Sequence, residues 1–313
     1  MKAALTACIA VLLSSSAVFA GELHVFTSDP SGFSTHSVWY DDGKEVTVVD
    51  AQFTPQIAKS LLADIKSKTT SPVTRVIVTH PNPDKFNGLS AFHAQGVESI
   101  ASEKTAADMP GVDKYKRFVM IELAKMFTND TYPKFEPVKT TYHDKMVIKL
   151  KSGETISLFE LPAGVSSDQT VVRIDATSDL VVGDLVHSNT HAWLEGGIVD
   201  GKPRPTLEQW KADLLALKDL STGKVYGGRG DFLPVSDAVN QQISYLNAAD
   251  KLVGGYVVDL GARKSELLDP AKQMRHWQAL QAEFVKAFPD YKMPDLIGFS
   301  VYGLAVQKLA VGN

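Results

Sequence analysis

The sequence predicts a mixed α/β body over residues 21–230 with a helical tail behind it. Two observations carry this reading. Short runs rich in Val, Ile and Thr recur between loops and helices as far as residue 226, and such runs nearly vanish from Asp231 onward. In chain order the strand candidates are Leu23–Thr27, His36–Tyr40, Glu45–Val49, Arg75–Thr79, Lys145–Leu150, Thr155–Leu161, Thr170–Ile174, Leu180–Val182 and Lys224–Tyr226. Asp41-Asp42-Gly43 between the second and third is a hairpin turn signal. Pro55–Lys66 places Ile57, Leu61 and Ile65 on one helical face, and Leu207, Trp210, Leu214 and Leu217 form a similar stripe behind Thr206 as N-cap. Tyr115–Phe127 reads as a helix with Phe118, Ile121 and Met126 near one face, inside an insertion over 110–144 near one end of the sheet. The tail reads as helices over Asp237–Gly261, Pro270–Phe288 and Pro294–Leu309, with breaks at Gly254-Gly255, Asp269-Pro270 and Met293-Pro294.

Residues 1–20, MKAALTACIAVLLSSSAVFA, stand apart from this body. Lys2, an apolar run and the closing Val18-Phe19-Ala20 read as a secretory signal peptide. The run is short and serine-rich for a bilayer span. The expected location is therefore periplasmic or secreted, with no membrane span after leader cleavage. The leader carries the one cysteine, Cys8, so disulfides and thiolate chemistry are excluded from the exported chain. Any metal would need His, Asp or Glu ligands. With 32 basic against 36 acidic residues, no positive excess exists to neutralise a phosphate backbone, which argues against nucleic acid as a partner. A hydrophobic share of 44% against 22% charged residues excludes a disordered chain. No Gly-x-Ser-x-Gly elbow is present.

The most informative segment is Thr74–Gly88, TRVIVTHPNPDKFNG, where an apolar strand runs into closely spaced polar residues. Here the chain resembles the metallo-β-lactamase fold superfamily, whose signature after a strand and a Thr is His-x-His-x-Asp-His. The corresponding residues are His80, Asn82, Asp84 and Lys85. Four further marks follow in the family's order. They are the strand ending in Asp50, the loop Ala163–Thr170, the strand-Gly-Asp of Val181-Val182-Gly183-Asp184, and Tyr226-Gly227-Gly228-Arg229-Gly230 in place of strand-Pro-Gly-His-Gly. The resemblance implies a four-layer αββα sandwich over 21–232. Residues 233–313 would then be a helical C-terminal extension packed on the same domain and covering part of the pocket mouth.

Members of that family hold two zinc ions with five histidines and two aspartates. Carried over position by position, His80, Asp84 and Asp184 survive, while Asn82, Lys85, Val165 and Arg229 stand where histidines belong. Asparagine is a weak donor, valine donates nothing, and two cations repel a metal ion. No metal or other cofactor is therefore expected; zinc on His80, Asp84 and Asp184 is the alternative. Without metal, Asp84 and Asp184 would be buried unpaired carboxylates, so the expectation is that Lys85 and Arg229 form a salt-bridge network with them. The alternative is that both cations point into solvent. His187 and His191 follow Asp184, and His191 beside Trp193 is a candidate for the substrate end of the pocket or else a loop histidine bonded to backbone.

Three functions fit these residues. The first is a pseudoenzyme that binds a small anionic ligand or a protein partner in the old active-site pocket. The second is a hydrolase of ester, lactone or amide bonds with one metal. The third is a metal-free enzyme with Asp84 or His80 as base and Lys85 or Arg229 stabilising an oxyanion. The first is the expected one.

Overall fold

The computed structural model describes residues 21–199, 202–204 and 206–311. The leader assignment over 1–20 lies outside the described residues.

The first half of the chain builds one six-stranded sheet in sequential order: β1 (Glu22–Thr27), β2 (His36–Asp41), β3 (Val46–Val49), β4 (Val73–Ile77), β5 (Glu98–Ser102) and β6 (Thr140–Tyr142). β1, β2 and β3 pair antiparallel, and β3 to β6 pair parallel. The parallel crossovers carry α1 (Pro55–Lys68), two short helices, α2 (Pro83–Phe86) and α3 (Leu89–His93), and α4 (Glu103–Phe118). The second half builds a sheet ordered β14-β13-β10-β9-β8-β7 from β7 (Lys145–Lys149), β8 (Thr155–Leu161), β9 (Gln169–Ile174), β10 (Asp179–Ser188), β13 (Lys224–Gly230) and β14 (Leu233–Pro234). A small hairpin, β11 (Gly197–Val199) with β12 (Lys202–Arg204), and α5 (Leu207–Leu220) lie between β10 and β13. The chain closes with α6 (Val235–Leu260), α7 (Gln273–Ala287) and α8 (Asp295–Val311).

Strand alternation distributes side chains among three apolar layers. Val38 and Tyr40 of β2, Ile77 of β4, Ile156 and Leu158 of β8 and Val172 of β9 meet between the two sheets. Trp39, Val48 and Val76 face the other way onto Leu61 and Ile65 of α1 and Phe92 of α3. Val171, Leu180 and Val182 face Trp210, Leu214 and Leu217 of α5 and the apolar faces of α6, α7 and α8. The layers are thus helix, sheet, sheet, helix. Strands buried on both faces explain the near-continuous Val and Ile runs of the sequence.

Some local expectations change. The helix expected over Tyr115–Phe127 begins at Glu103 instead, capped by Ser102, whose hydroxyl accepts from the Thr105 amide. It passes through Pro110 and ends in a single π-turn at Val119–Leu123, leaving Phe118 and Met126 exposed. α6 runs unbroken through Gly254-Gly255, because Val253 and Val257 on either side are buried in the outer layer. Thr206 occupies the N-cap position of α5, but its hydroxyl donates to the Gly164 carbonyl at 2.5 Å instead of capping.

Candidate functional site

The polar residues collect where the strands of both sheets end. β4 runs into Thr79 and His80, and α2 then presents Asp84 and Lys85 in succession. Asp50, which follows β3 with a left-handed backbone (φ 69°), accepts from the Thr79 amide at 2.9 Å and from its hydroxyl at 2.8 Å. Burial pushes its carboxyl up to about 6. From the second sheet, β10 and β13 run parallel with register breaks on both sides of Gly183, which is itself left-handed (φ 51°). A Cβ there would lie 2.5 Å from the Thr79 hydroxyl, so only glycine lets β10 approach this closely. The break turns Asp184 toward α2, and Arg229 reaches it from β13.

These four charges form one closed cluster. Lys85 Nζ lies 2.8 Å from Asp84 Oδ2 and 2.8 Å from Asp184 Oδ1. Arg229 donates through one terminal nitrogen to both oxygens of Asp184 at 2.9 Å, and through the other to Asp84 Oδ2 and the Thr35 hydroxyl, each at 2.9 Å. Its Nε donates to the Phe33 carbonyl at 2.8 Å. The Thr35 hydroxyl donates to Asp84 Oδ2 at 3.0 Å. All four charged residues are buried, Lys85 at 0% exposure. Burial alone would raise both carboxyls; the adjacent Arg229 and Lys85 overcome it and hold Asp84 and Asp184 below the usual carboxylate range. The same carboxylates raise Lys85 against the opposing effect of burial. Gly228 is required here as well, since a Cβ would stand 2.1 Å from Asp184 Oδ1 and 2.9 Å from Lys85 Nζ.

His80 is fully buried, its Nδ1 3.0 Å from the Thr79 hydroxyl and its Nε2 3.7 Å from Asp184 Oδ2. His187 continues β10 opposite Arg229 and is buried, with neither ring nitrogen hydrogen-bonded among the described residues; burial pushes it down to about 3.

Above the cluster opens a narrow cleft, about 350 Å³ counted out to solvent. Asn82, Asp84, Asp184 and Arg229 form its floor, and Phe33, Phe53, Pro83, Lys116, Met120 and Trp193 its walls. Phe33 and Phe53 meet edge to face at 5.1 Å. Lys116 of α4 is ion-paired with Glu195, which also receives the Trp193 indole N–H at 3.0 Å and the hydroxyls of Tyr115 and Tyr302.

The structure therefore brings together His80, Asn82, Asp84, Lys85, Asp184 and Arg229. It separates two candidates from them. Val165 is fully buried in the outer apolar layer beneath α5, away from the cleft. His191 does not reach the pocket: it packs among Tyr245, Phe284, Phe288 and Tyr291, with Nδ1 3.0 Å from the Tyr245 hydroxyl, and burial pushes it down to about 4. Among the described residues the C-terminal helices contribute none to the lining and act behind it, through Tyr302 on Glu195 and the Ser300 hydroxyl, which accepts from the Leu194 amide (2.9 Å). Sequence reasoning missed Phe33, Thr35, Phe53, Lys116 and Met120. Their recruitment depends on contacts with residues far along the chain, which leave no local signal.

A family model described as the metallo-beta-lactamase superfamily matches residues 30–229. A "Metallo-beta-lactamase type 2" from Bacillus sp. (strain 170) is 26% identical over 109 residues, 34% of this chain and 42% of that protein, so the chain spans less than half of that relative. A metallo-beta-lactamase from Pontibacter korlensis superposes with a TM-score of 0.53 at 19% identity, covering 72% of this chain and 94% of its own. The DIM-1 metallo-beta-lactamase, in a crystal exposed to ceftazidime, gives 0.52 at 19% identity over 74% of this chain and 99% of its own. These structural likenesses are of fold. With two sheets between helical layers, the polar loops at their strand ends and a family match over more than half its length, the chain belongs to the metallo-β-lactamase superfamily.

Proposed function

We propose that this protein is a pseudoenzyme of the superfamily, in which an ion-pair cluster takes the place of the zinc centre and the cleft above it binds a small ligand. One observation carries the reading: Lys85 and Arg229 each bond to both Asp84 and Asp184 at 2.8–2.9 Å. The residues present do not fit a zinc ion. Zinc takes about four ligands at ~2.0–2.3 Å, and both oxygens of Asp184 and one of Asp84 are already committed to cations. An ion seated on those carboxylates would stand near Lys85 and Arg229. At an effective dielectric of ~20 and ~4 Å, each unit charge would repel a divalent ion by about 8 kcal/mol. Asn82 and Val165 supply nothing to offset this.

The alternative, a hydrolase, draws support from His80 Nε2, which has no hydrogen-bond partner among the described residues and lies 3.7 Å from Asp184. Against it, Asp84 is a poor base, because Arg229 and Lys85 hold its carboxyl low. Neither cation is free to stabilise an oxyanion while bonded to two carboxylates. The leader adds export to the periplasm or beyond, which a mature chain beginning at Gly21 would support.

The test is metal content. Protein exposed to excess zinc and then desalted should carry well under one zinc per chain; stoichiometric zinc held through desalting overturns the reading.

A further inference from the structure

We propose that the cleft recognises a small organic carboxylate with a flat apolar body, and that Lys116, not the residues of the old metal positions, holds the carboxylate; this rests on the reading that the cleft binds a ligand. The floor offers no free cation for an anion. The two cations of the cluster beneath it face two carboxylates, and every N–H of Arg229 is spent on Asp84, Asp184, Thr35 or the Phe33 carbonyl. Lys85 is fully enclosed. Of the cations lining the cleft, Lys116 alone keeps spare donors. Its ammonium has three N–H groups and, among the described residues, one hydrogen-bonded partner, Glu195. Glu195 is in turn saturated by the Trp193 indole and the Tyr115 and Tyr302 hydroxyls, which spread its charge over four donors. The ammonium is thus positioned with two N–H groups to spare.

The walls specify the rest of the ligand. Lys116 Nζ lies 4.9 Å from the Trp193 ring centre, so a carboxylate on Lys116 places its attached group along that indole. Met120, one turn on from Lys116, stands on the π-turn that ends α4, a distortion that recurs at functional sites. Phe33 and Ser34 opposite are both left-handed without being glycine (φ 60° and 49°), and the Phe33 carbonyl is anchored by Arg229. Backbone strain of this kind persists where the surroundings hold it, and clusters at ligand clamps. At the floor, no hydrogen bond reaches Asp84 Oδ1 among the described residues, which leaves one acceptor for a hydroxyl, amide or ammonium of the same ligand.

The experiment titrates the mature protein by calorimetry with 3-phenylpropionate, 3-phenylpropanamide and 3-phenylpropylamine. The carboxylate should bind at least tenfold tighter than the amide and the amine, and more weakly as salt rises. Lys116→Met alone leaves Glu195 buried and unpaired, so the informative variant is Lys116→Met with Glu195→Gln. It should lose the carboxylate preference and keep amide affinity within about twofold. Lys116→Arg should retain the preference. Equal binding of carboxylate and amide, or a preference that survives the double substitution, overturns the Lys116 assignment and leaves ligand binding standing. Failure of all three probes at millimolar concentration overturns both.

Discussion

Asp184 and Asp168 are both buried, both belong to the second sheet and its loops, and both lie within reach of the field of His80, yet they titrate in opposite directions. Asp184 is held well below the usual carboxylate range by Arg229 and Lys85, although burial opposes this. Among the described residues Asp168 meets hydroxyls only: Thr105 and, at 3.5 Å, Ser102 donate to Oδ1, while Oδ2 has no hydrogen-bond partner there. Burial then pushes it up to about 7. Desolvation acts alike at both sites; the presence of a cation decides the outcome. The cation-bearing region is therefore the ionised one, and the hydroxyl-bearing region holds a neutral acid under mildly acidic conditions.

The largest test of this contrast removes a cation. Arg229→Met should cost about 3–5 kcal/mol, because it strands buried charge. Urea unfolding at neutral pH measures it. Adding Asp184→Asn should recover part of the loss, since both substitutions act on one pair. A loss under 1 kcal/mol would mean that the cluster does not hold the strand ends together. Next comes pH. The raised carboxyl of Asp168 contributes stability that is complete below its unfolded value of ~3.9 and disappears as pH climbs through about 7. The lowered carboxyls of Asp84 and Asp184 do the reverse: their contribution is present above ~3.9 and is lost only as pH falls through their depressed values. Asp168→Asn should therefore remove a decline of about 3–4 kcal/mol between pH 4 and 8, the scale of a three-unit shift. An unchanged slope would assign the decline to other groups.

Gly228→Ala probes the cluster's packing. Its methyl would stand 2.1 Å from Asp184 Oδ1, and displacing that carboxylate should cost about 1–3 kcal/mol by thermal unfolding. The smallest effect belongs to Thr35→Val. It removes a hydroxyl that donates to Asp84 and accepts from Arg229, worth about 1 kcal/mol in the same assay.

Most of the architecture was legible because doubly buried strands advertise themselves as Val- and Ile-rich runs, and Thr155–Leu161 spans the same residues in both readings. β5 and β6 were not, because Glu-Ser-Ile-Ala-Ser and Thr-Thr-Tyr are short and mostly polar. α4 was read only from Tyr115 onward, because Pro110 and Gly111 are poor helix formers, although the helix runs through them. In the site, Asp84, Lys85, Asp184 and Arg229 could be placed because each falls in one of the short motifs whose order along the chain resembles that of the superfamily. Thr35 could not, since its partners Asp84 and Arg229 lie 49 and 194 positions away. His191 was misjudged for the mirror-image reason. Its surroundings are Tyr245, Phe284, Phe288 and Tyr291 from the tail, and nothing near residue 191 foretells them.

The mutual saturation of Lys85, Arg229, Asp84 and Asp184 has a corollary for substitution. Replacing any one of the four alone leaves an odd charge walled off from water, so these positions tolerate change only in compensating pairs of opposite sign.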